Sequence, residues 1–512
     1  MHRSIHPTCT STLVHYEEKV GKKFNMADFW PIHCKTTSSR TKRSTDEDEF
    51  VTQNILKAIS QHTDVSDCNV IQIGAHNCLL SKEIASKCKS LLIFDCNKDF
   101  LSSNRTAVGE KANVKYCGDN VLQVDQPADS VNIVIIDEML QYFDGKDMQA
   151  LLERILTWLK KDGYFLCLES CHSIKESSDK SEGEKSSCRD FGFYHAAFQL
   201  VSIDSADSHF GLDVVFSQTL QYTQGEEVRK SPTLWMMIKD PISEQCNHGF
   251  KTFQEFLDSK QYSVTGILRY EKVFGRCFVS TGGLDTTKKF VAKLNIKPGE
   301  KVLDVGCGIG GSAFHMAQIY GAEVVGIDLS TNMILIAHQR CQEVNLTQKV
   351  HFEIADATKR HFEPCSFDVI YSRDTIIHIK DKLALFKKFY EWLKPGGRLL
   401  ITDYCCSAGS HSDQFKSYTK QRGYIFLPVE KYGQELKEAG FQNIQSTDMT
   451  DHFIEILHNE KNKVHNMKKE FIQQFSVDDY NAIISGWEEK VQRCKYGDQK
   501  WGHFMAEKLA ST

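Results

Sequence analysis

The sequence predicts an α/β chain built from two tandem, doubly wound parallel sheets. Short apolar runs alternate with helical patterns, and the order of those runs repeats once along the chain. Composition allows it: of 512 residues, 41% are hydrophobic and 25% charged, enough to bury a core. At ~150 residues per domain, that length fits three domains or two large ones. Lys and Arg number 62 against 67 Asp and Glu, a net charge of -5. This near-balance argues against a general nucleic-acid binder. No apolar run reaches the ~18 residues of a membrane-spanning helix. The N-terminal stretch MHRSIHPTCTSTLVHYEEK lacks the apolar core of a secretory signal. The 18 cysteines are scattered, with no Cys-x-x-Cys pair, so they read as reduced thiols of a cytoplasmic protein with no metal site.

In the second half, KVLDVGCGIGG (301–311) is an apolar run ending in glycines, a buried strand turning into a helix. AEVVGID (322–328) is a second strand ending in Asp328, and VHFEIADA (350–357) a third ending at Asp356. FDVIYSRD (367–374) is the fourth, and a helix ending EWLKPGG (391–397) leads into the fifth, RLLITDY (398–404). The first half repeats this order with NVIQIGAHNC (69–78), SLLIFD (90–95), VKYCGD (114–119), VNIVIID (131–137) and TWLKKDGYFLCLES (157–170). The spacings Gly74–Asp95 and Gly306–Asp328 differ by one position, and both helices end in Trp-Leu-Lys (Trp158 and Trp392). Matching landmarks at matching spacings point to a duplicated domain.

Residues 1–45 show no periodicity and read as an N-terminal extension, partly disordered. The first domain spans 46–240, a linker 241–260, and the second domain 261–512. The Ser/Lys/Glu-rich stretch 173–190 reads as a mobile, solvated loop.

Gly306, Gly308, Gly310 and Gly311 let the chain turn sharply and a ligand approach the backbone. That loop alone does not separate a dinucleotide site from an S-adenosylmethionine site. Asp304, two residues before the first glycine, would repel a pyrophosphate but suits a ligand with a cationic amino group and a sulfonium. Asp328 is placed to accept from ribose hydroxyls, and Asp356 could accept from an adenine amino group. Each Asp alone would be read as a loop or helix cap. Three at successive strand ends around one glycine turn favour the cofactor.

This pattern resembles the S-adenosylmethionine-dependent methyltransferases with a Rossmann-like, seven-stranded sheet. More specific strings extend the resemblance: QYSVTGILRYEKVFGRCFVSTGG (261–283), IYSRDTIIHI (370–379), LLITDYC (399–405), KQRGY (420–424) and WGHFMAEK (501–508). On these, the second half resembles phosphoethanolamine N-methyltransferases, and the two-domain plan with an eroded first half looks like the nematode enzyme of the second type. The resemblance implies two tandem seven-stranded methyltransferase domains, the first degenerate. It implies S-adenosylmethionine as cofactor, S-adenosylhomocysteine as product, and methylation of phosphomonomethylethanolamine and phosphodimethylethanolamine to phosphocholine for phosphatidylcholine synthesis. It adds Val279, Ser280, Leu329, Ala357 and Arg373 to the cofactor contacts. The partner is then a small phosphobase, with no nucleic acid and no membrane insertion. The oligomeric state stays open, a monomer being compatible with it.

The substrate's two ends make opposite demands. A phosphate carrying about -1.5 to -2 charges calls for cations and hydroxyl donors; the resemblance assigns it Arg422, Lys490, Tyr404, Tyr424 and Tyr270. Arg422 and Tyr424 can face one site if their segment is extended. An ammonium has no lone pair and must lose a proton before it attacks a methyl group, work that suits histidine. The resemblance makes His378 and Tyr262 the catalytic pair, with Gln261 and Asp374 on the substrate and Asp374 the counter-charge for its amine.

Where the second half has Asp304, Gly308 and Gly310, the first has Gln72, His76 and Cys78. Tyr142 stands near the place of His378, Ser170 matches Tyr404, Asp162 replaces Gly396, and Asp95 and Asp119 persist. The first half therefore reads as a folded domain without catalysis. Two other readings stand beside the phosphobase one. A sterol or quinone methyltransferase would want an apolar pocket, and a non-catalytic scaffold would not need the intact glycine loop; phosphoethanolamine itself is the neighbouring substrate.

Overall fold

A computed structural model describes residues 43–171, 189, 191–205, 208–220, 223–224, 227–228, 232–243 and 248–510. The expected extension (1–45) and polar loop (173–190) lie outside the described residues, apart from 43–45 and 189. The chain divides into two compact units, Met1–Phe256 and Leu257–Thr512.

The described part of the first unit opens with a helix, Thr45–Ser60, set by a capping box. The Ser44 hydroxyl accepts from the Glu47 N–H, and the Glu47 carboxylate accepts from the Ser44 N–H. Besides the short strand Ser202–Ser205 and a small two-stranded pair, seven strands follow among the described residues: β1 (Asn69–Ile73), β2 (Ser90–Phe94), β3 (Val114–Cys117), β4 (Val131–Asp137), β5 (Leu159–Ser170), β6 (Ser208–Thr219) and β7 (Pro232–Pro241). Their order is β3-β2-β1-β4-β5-β7-β6. The first five are parallel and β7 runs antiparallel to both its neighbours.

The second unit repeats the plan with β8 (Lys301–Val305), β9 (Glu323–Asp328), β10 (Val350–Ala355), β11 (Phe367–Arg373), β12 (Leu393–Cys406), β13 (Gln442–Asp448) and β14 (Gln499–Glu507). The order is β10-β9-β8-β11-β12-β14-β13, with β14 antiparallel to both neighbours. The middle strands are apolar and buried (Val302, Leu303, Val305, Val369, Ile370, Leu399, Leu400), as a sheet covered on both faces requires. Strand order reverses between β8 and β11, so their carboxyl ends open a crevice at a topological switch point. Three helices, Thr450–Asn466, Lys468–Gln474 and Val477–Lys495, interrupt the final hairpin between β13 and β14.

Strand register makes the duplication residue-specific. Asp304 pairs Gly326 and Tyr371, as Gln72 pairs Ile93 and Ile135. Counting on, Tyr142 takes the place of His378, and both end a short 3-10 turn after the fourth strand. Glu138 and Asp374 occupy one left-handed position (φ 47 and φ 55). One landmark changes. Phe94 pairs Cys117 where Ile327 pairs Glu353, which places Asn120, not Asp119, at the position of Asp356. Both side chains accept from the backbone N–H two residues on, Leu122 and Thr358.

Candidate active site

The glycine turn after β8 has no room for side chains. Gly306 (φ +75), Gly308 (φ +54) and Gly310 (φ +92) are left-handed, and a Cβ on Gly306 would stand 2.0 Å from Thr375 Oγ1. A Cβ on Gly308 would meet Val279 at 2.8 Å, so the Val279–Ser280 segment lies directly over the turn. Asp328 braces it: Oδ2 accepts from the Gly308 N–H (3.0 Å) and Oδ1 from the Ser330 N–H (2.9 Å). Burial pushes Asp328 up to about 6 against these bonds. Asp304 is fully buried and its Oδ2 has no partner among the described residues. Burial, then the nearby Asp328 carboxylate, push it up to about 8. An unsatisfied buried carboxylate beside a backbone cradle fits a ligand that brings its own cationic donor.

Other sequence-predicted cofactor contacts take different positions. Arg373 is buried beneath the 279–283 segment, donating to Thr281 O, Gly283 O (3.2 Å) and Thr287 Oγ1 (2.6 Å). Asp356 spends Oδ1 on the Thr358 N–H and hydroxyl, and Ala357 beside it is buried. Leu329 follows Asp328 at the end of β9.

The expected catalytic pair is brought together from residues 116 apart: Tyr262 OH lies 3.1 Å from His378 Nε2. Tyr262 follows a π-turn, Leu257–Gln261, and His378 ends the turn after β11. Burial first, then the charges of Lys382 and Arg422, lower His378 to about 3, so its ring is neutral near pH 7. Burial pushes the Tyr262 phenol well above its usual value. The Tyr424 ring packs edge-on to His378 at 5.1 Å.

Arg422 ends the helix Asp413–Arg422 and stays exposed. No carboxylate pairs with its guanidinium among the described residues; the phenols of Tyr424, Tyr270, Tyr418 and Tyr262 surround it. Gln261 Nε2 donates to the Arg422 carbonyl (2.6 Å), and its buried Oε1 is left without a partner among the described residues. Lys490 donates to Tyr404 OH (3.3 Å), and burial lowers it to about 8. Asp374 accepts through Oδ1 from Trp501 Nε1 (2.8 Å) and Thr402 Oγ1 (3.0 Å), leaving the buried Oδ2 unpartnered among the described residues. A strained carboxylate with an orphaned oxygen, close enough to Lys490 and Tyr404 to act on their charges, suits a cationic guest.

Sequence reading missed the residues that hold these groups. Asp258 accepts from Ser330 Oγ and the Thr331 N–H (3.1 Å), tying the π-turn to the end of β9. Lys382 buries its ammonium against the carbonyls of Ile376 (2.9 Å), Ile379 (2.7 Å) and Ile425 (2.8 Å), clamping the His378 turn to the Tyr424 segment. Glu460 takes the Gly282 N–H and Trp487 Nε1 (2.7 Å). Trp501 and Thr402, which hold Asp374, did carry a signal, as parts of the strings WGHFMAEK and LLITDYC.

In the first unit the residues around the matching turn pair with one another. Gly74 keeps a positive φ (+104), but Arg43 reaches in to Asp137, and to His76 Nε2 at 3.0 Å. Asp137 is fully buried, and although burial alone would raise it, Arg43 and then His76 hold it below the usual carboxylate range.

Seven strands in this order with a glycine turn at the switch point define the S-adenosylmethionine-dependent methyltransferases, and both units have that fold. A methyltransferase-domain family model matches residues 296–505 and another matches 70–163. Phosphoethanolamine N-methyltransferase 1 of Arabidopsis thaliana is 41% identical over 470 residues, covering 91% of this chain and 93% of its own. The Plasmodium falciparum phosphoethanolamine N-methyltransferase is 39% identical over 256 residues, 49% of this chain and 95% of its own. Phosphoethanolamine N-methyltransferase 2 of Haemonchus contortus, solved with phosphomonomethylethanolamine and S-adenosylhomocysteine, superposes with a TM-score of 0.73 at 27% identity, covering 90% of this chain and 100% of that one. The chain belongs to the phosphoethanolamine N-methyltransferase family.

Proposed function

We propose that the second unit transfers methyl groups from S-adenosylmethionine to phosphomonomethylethanolamine and phosphodimethylethanolamine, giving phosphocholine for phosphatidylcholine synthesis. The observation that carries this is a pair of opposite orphans around one histidine. Arg422 is a cation without a carboxylate partner among the described residues, and Asp374 Oδ2 is a buried anion without a donor among them. A zwitterionic phosphobase satisfies both. A sterol or quinone would leave the buried Asp374 oxygen unpaired, at a cost of about 1–3 kcal/mol.

The residues divide the work. Asp304, Gly306, Gly308, Gly310 and Asp328 hold the cofactor, with Val279, Ser280, Leu329, Asp356, Ala357 and Arg373 around it. Bound there, S-adenosylmethionine supplies an electrophilic methyl on a sulfonium. Arg422, Lys490, Tyr404, Tyr424 and Tyr270 take the phosphate, while Gln261 and Asp374 orient the amine. The neutral His378 ring, held by Tyr262, accepts the amine proton and frees the lone pair for in-line attack. Incubated with labelled S-adenosylmethionine and each of the three phosphobases, the enzyme should convert the mono- and dimethyl forms to phosphocholine. Label entering phosphoethanolamine alone would overturn the choice of steps.

The likeness to the nematode enzyme of the second type extends, in our reading, to an inactive first unit. The domains follow the boundaries given above, 46–240 and 261–512 around a linker. The Arg43–His76–Asp137 cluster supports this, because His76 stands in register with Gly308 and is paired with Arg43 there. Titrated with S-adenosylhomocysteine, the full chain should bind one equivalent; two would put a second cofactor in the first unit. A cytoplasmic location and a water-soluble substrate complete the proposal. Every described cysteine is a free thiol, and no helix among the described residues is long and apolar enough to cross a membrane.

A further inference from the structure

The residue joining the two halves of the site is Asp258, which has no assigned contact with cofactor or substrate. Asp258 lies in the π-turn Leu257–Gln261, a rare conformation that concentrates at functional positions. Its carboxylate accepts from Ser330 Oγ, the Thr331 N–H (3.1 Å) and the Asn332 N–H (3.4 Å), buried donors at the start of the helix Thr331–Glu343. The Asn332 amide returns the contact, donating to Asp258 O (3.2 Å) and Tyr262 O (2.9 Å). On one side, Ser330 donates its N–H to Asp328, which also grips Gly308 of the glycine turn. On the other side, Gln261 reaches the carbonyl of Arg422 and Tyr262 reaches His378. One short segment therefore touches the cofactor turn, the phosphate arginine and the catalytic histidine.

We infer that Asp258 is a positioning residue that couples the cofactor turn to the Tyr262–His378 pair, so that an occupied cofactor site tightens phosphobase binding and the reverse. This rests on the proposed reading of the second unit as a phosphobase methyltransferase. A ligand that firms the Asp328–Ser330 turn firms the acceptor and donor set on which the π-turn rests. That turn fixes Gln261 and Tyr262 over the substrate. Linkage makes the effect reciprocal, and couplings of this kind change affinity by roughly 5- to 150-fold. Without Asp258 the cofactor turn keeps its own Asp328 contacts, so cofactor affinity should survive while its influence on the phosphobase is lost.

The test is calorimetry on the full-length enzyme and its Asp258→Asn and Asn332→Ala variants. Affinity for phosphomonomethylethanolamine is measured with and without saturating S-adenosylhomocysteine, and turnover is measured alongside. Asp258→Asn keeps the side-chain volume, and Asn332→Ala leaves the Asp258 carboxylate in place, so the two probe the tether independently of a folding defect. In the wild type, S-adenosylhomocysteine should tighten the phosphobase by about 5-fold or more. Both variants should bring that factor toward one and lower kcat, with S-adenosylhomocysteine affinity alone changed by less than roughly 3-fold, short of the coupling expected. Variants that keep the wild-type coupling, a wild type that shows none, or cofactor affinity falling as far as kcat would each overturn the inference. A wild type that binds no phosphobase would overturn the functional reading with it, whereas intact coupling in the variants overturns the role of Asp258 alone.

Discussion

Replacing His378 with alanine should lower turnover by about 10²–10⁴-fold, the usual contribution of a positioned general base. S-adenosylhomocysteine affinity should hardly move, because Asp328 braces the glycine turn through the Gly308 and Ser330 N–H groups. Tyr262→Phe should give a related but smaller loss, and the double variant less than the product of the two, since the 3.1 Å pair acts as a unit. The pH profile carries a further consequence. In the free enzyme His378 is lowered to about 3 by burial and by the charges of Lys382 and Arg422, so it is unprotonated and able to act as a base above that value. The pH dependence of kcat/KM should then lack a histidine limb near the reference ~6.5, and a rise near ~6 would belong to the second ionisation of the substrate phosphate. Phosphate bound at Arg422 cancels one of the charges that depress the ring. The histidine limb should accordingly sit higher in kcat than in kcat/KM. A folded His378→Ala enzyme that turns over at the wild-type rate would remove the base and leave the fold and cofactor site standing.

Arg422→Ala should cut kcat/KM for phosphobases by about 10- to 100-fold, the loss of a charge-assisted bond of about 1.5–3 kcal/mol. Cofactor affinity should stay within a factor of about two, far below that loss. Arg422→Lys should restore only part of the activity, because a point ammonium does not reproduce the planar fork of a guanidinium. Steady-state kinetics at fixed cofactor read both variants. Equal kcat/KM in wild type and Arg422→Ala would move the phosphate elsewhere, with Lys490 and Tyr404 the remaining polar pair.

The features legible in the sequence are those written locally. The glycine turn, the aspartates at the ends of β8 and β9 and the repeated Trp-Leu-Lys helix ends all sit within short strings, and the structure gives two sheets of one strand order. The meeting of Tyr262 with His378 came through family resemblance, since no periodicity joins residues so far apart. Asp258 and Lys382 stayed silent because their work is done against backbone groups: a helix start at 330–332 for one, three carbonyls for the other. Neither an aspartate in a linker nor a lysine in a helix announces such partners. Arg43 was hidden for the same reason, standing at the edge of a stretch without periodicity while its partners lie in the loop after β1 (His76) and at the end of β4 (Asp137). Asp119 and Asn120 show the limit of aligning two halves by eye: one residue of strand register decides which of them stands where Asp356 does.

The second unit should methylate an amine only when a phosphate anchors the same molecule. The most direct measurement is initial methyl transfer from labelled S-adenosylmethionine to phosphodimethylethanolamine and, in parallel, to dimethylethanolamine at equal concentration. Phosphocholine should form from the first, with transfer to the second lower by at least the ~10–100-fold expected from losing the Arg422 contact. Equal rates with both amines, or no transfer to the phosphorylated one, would contradict it.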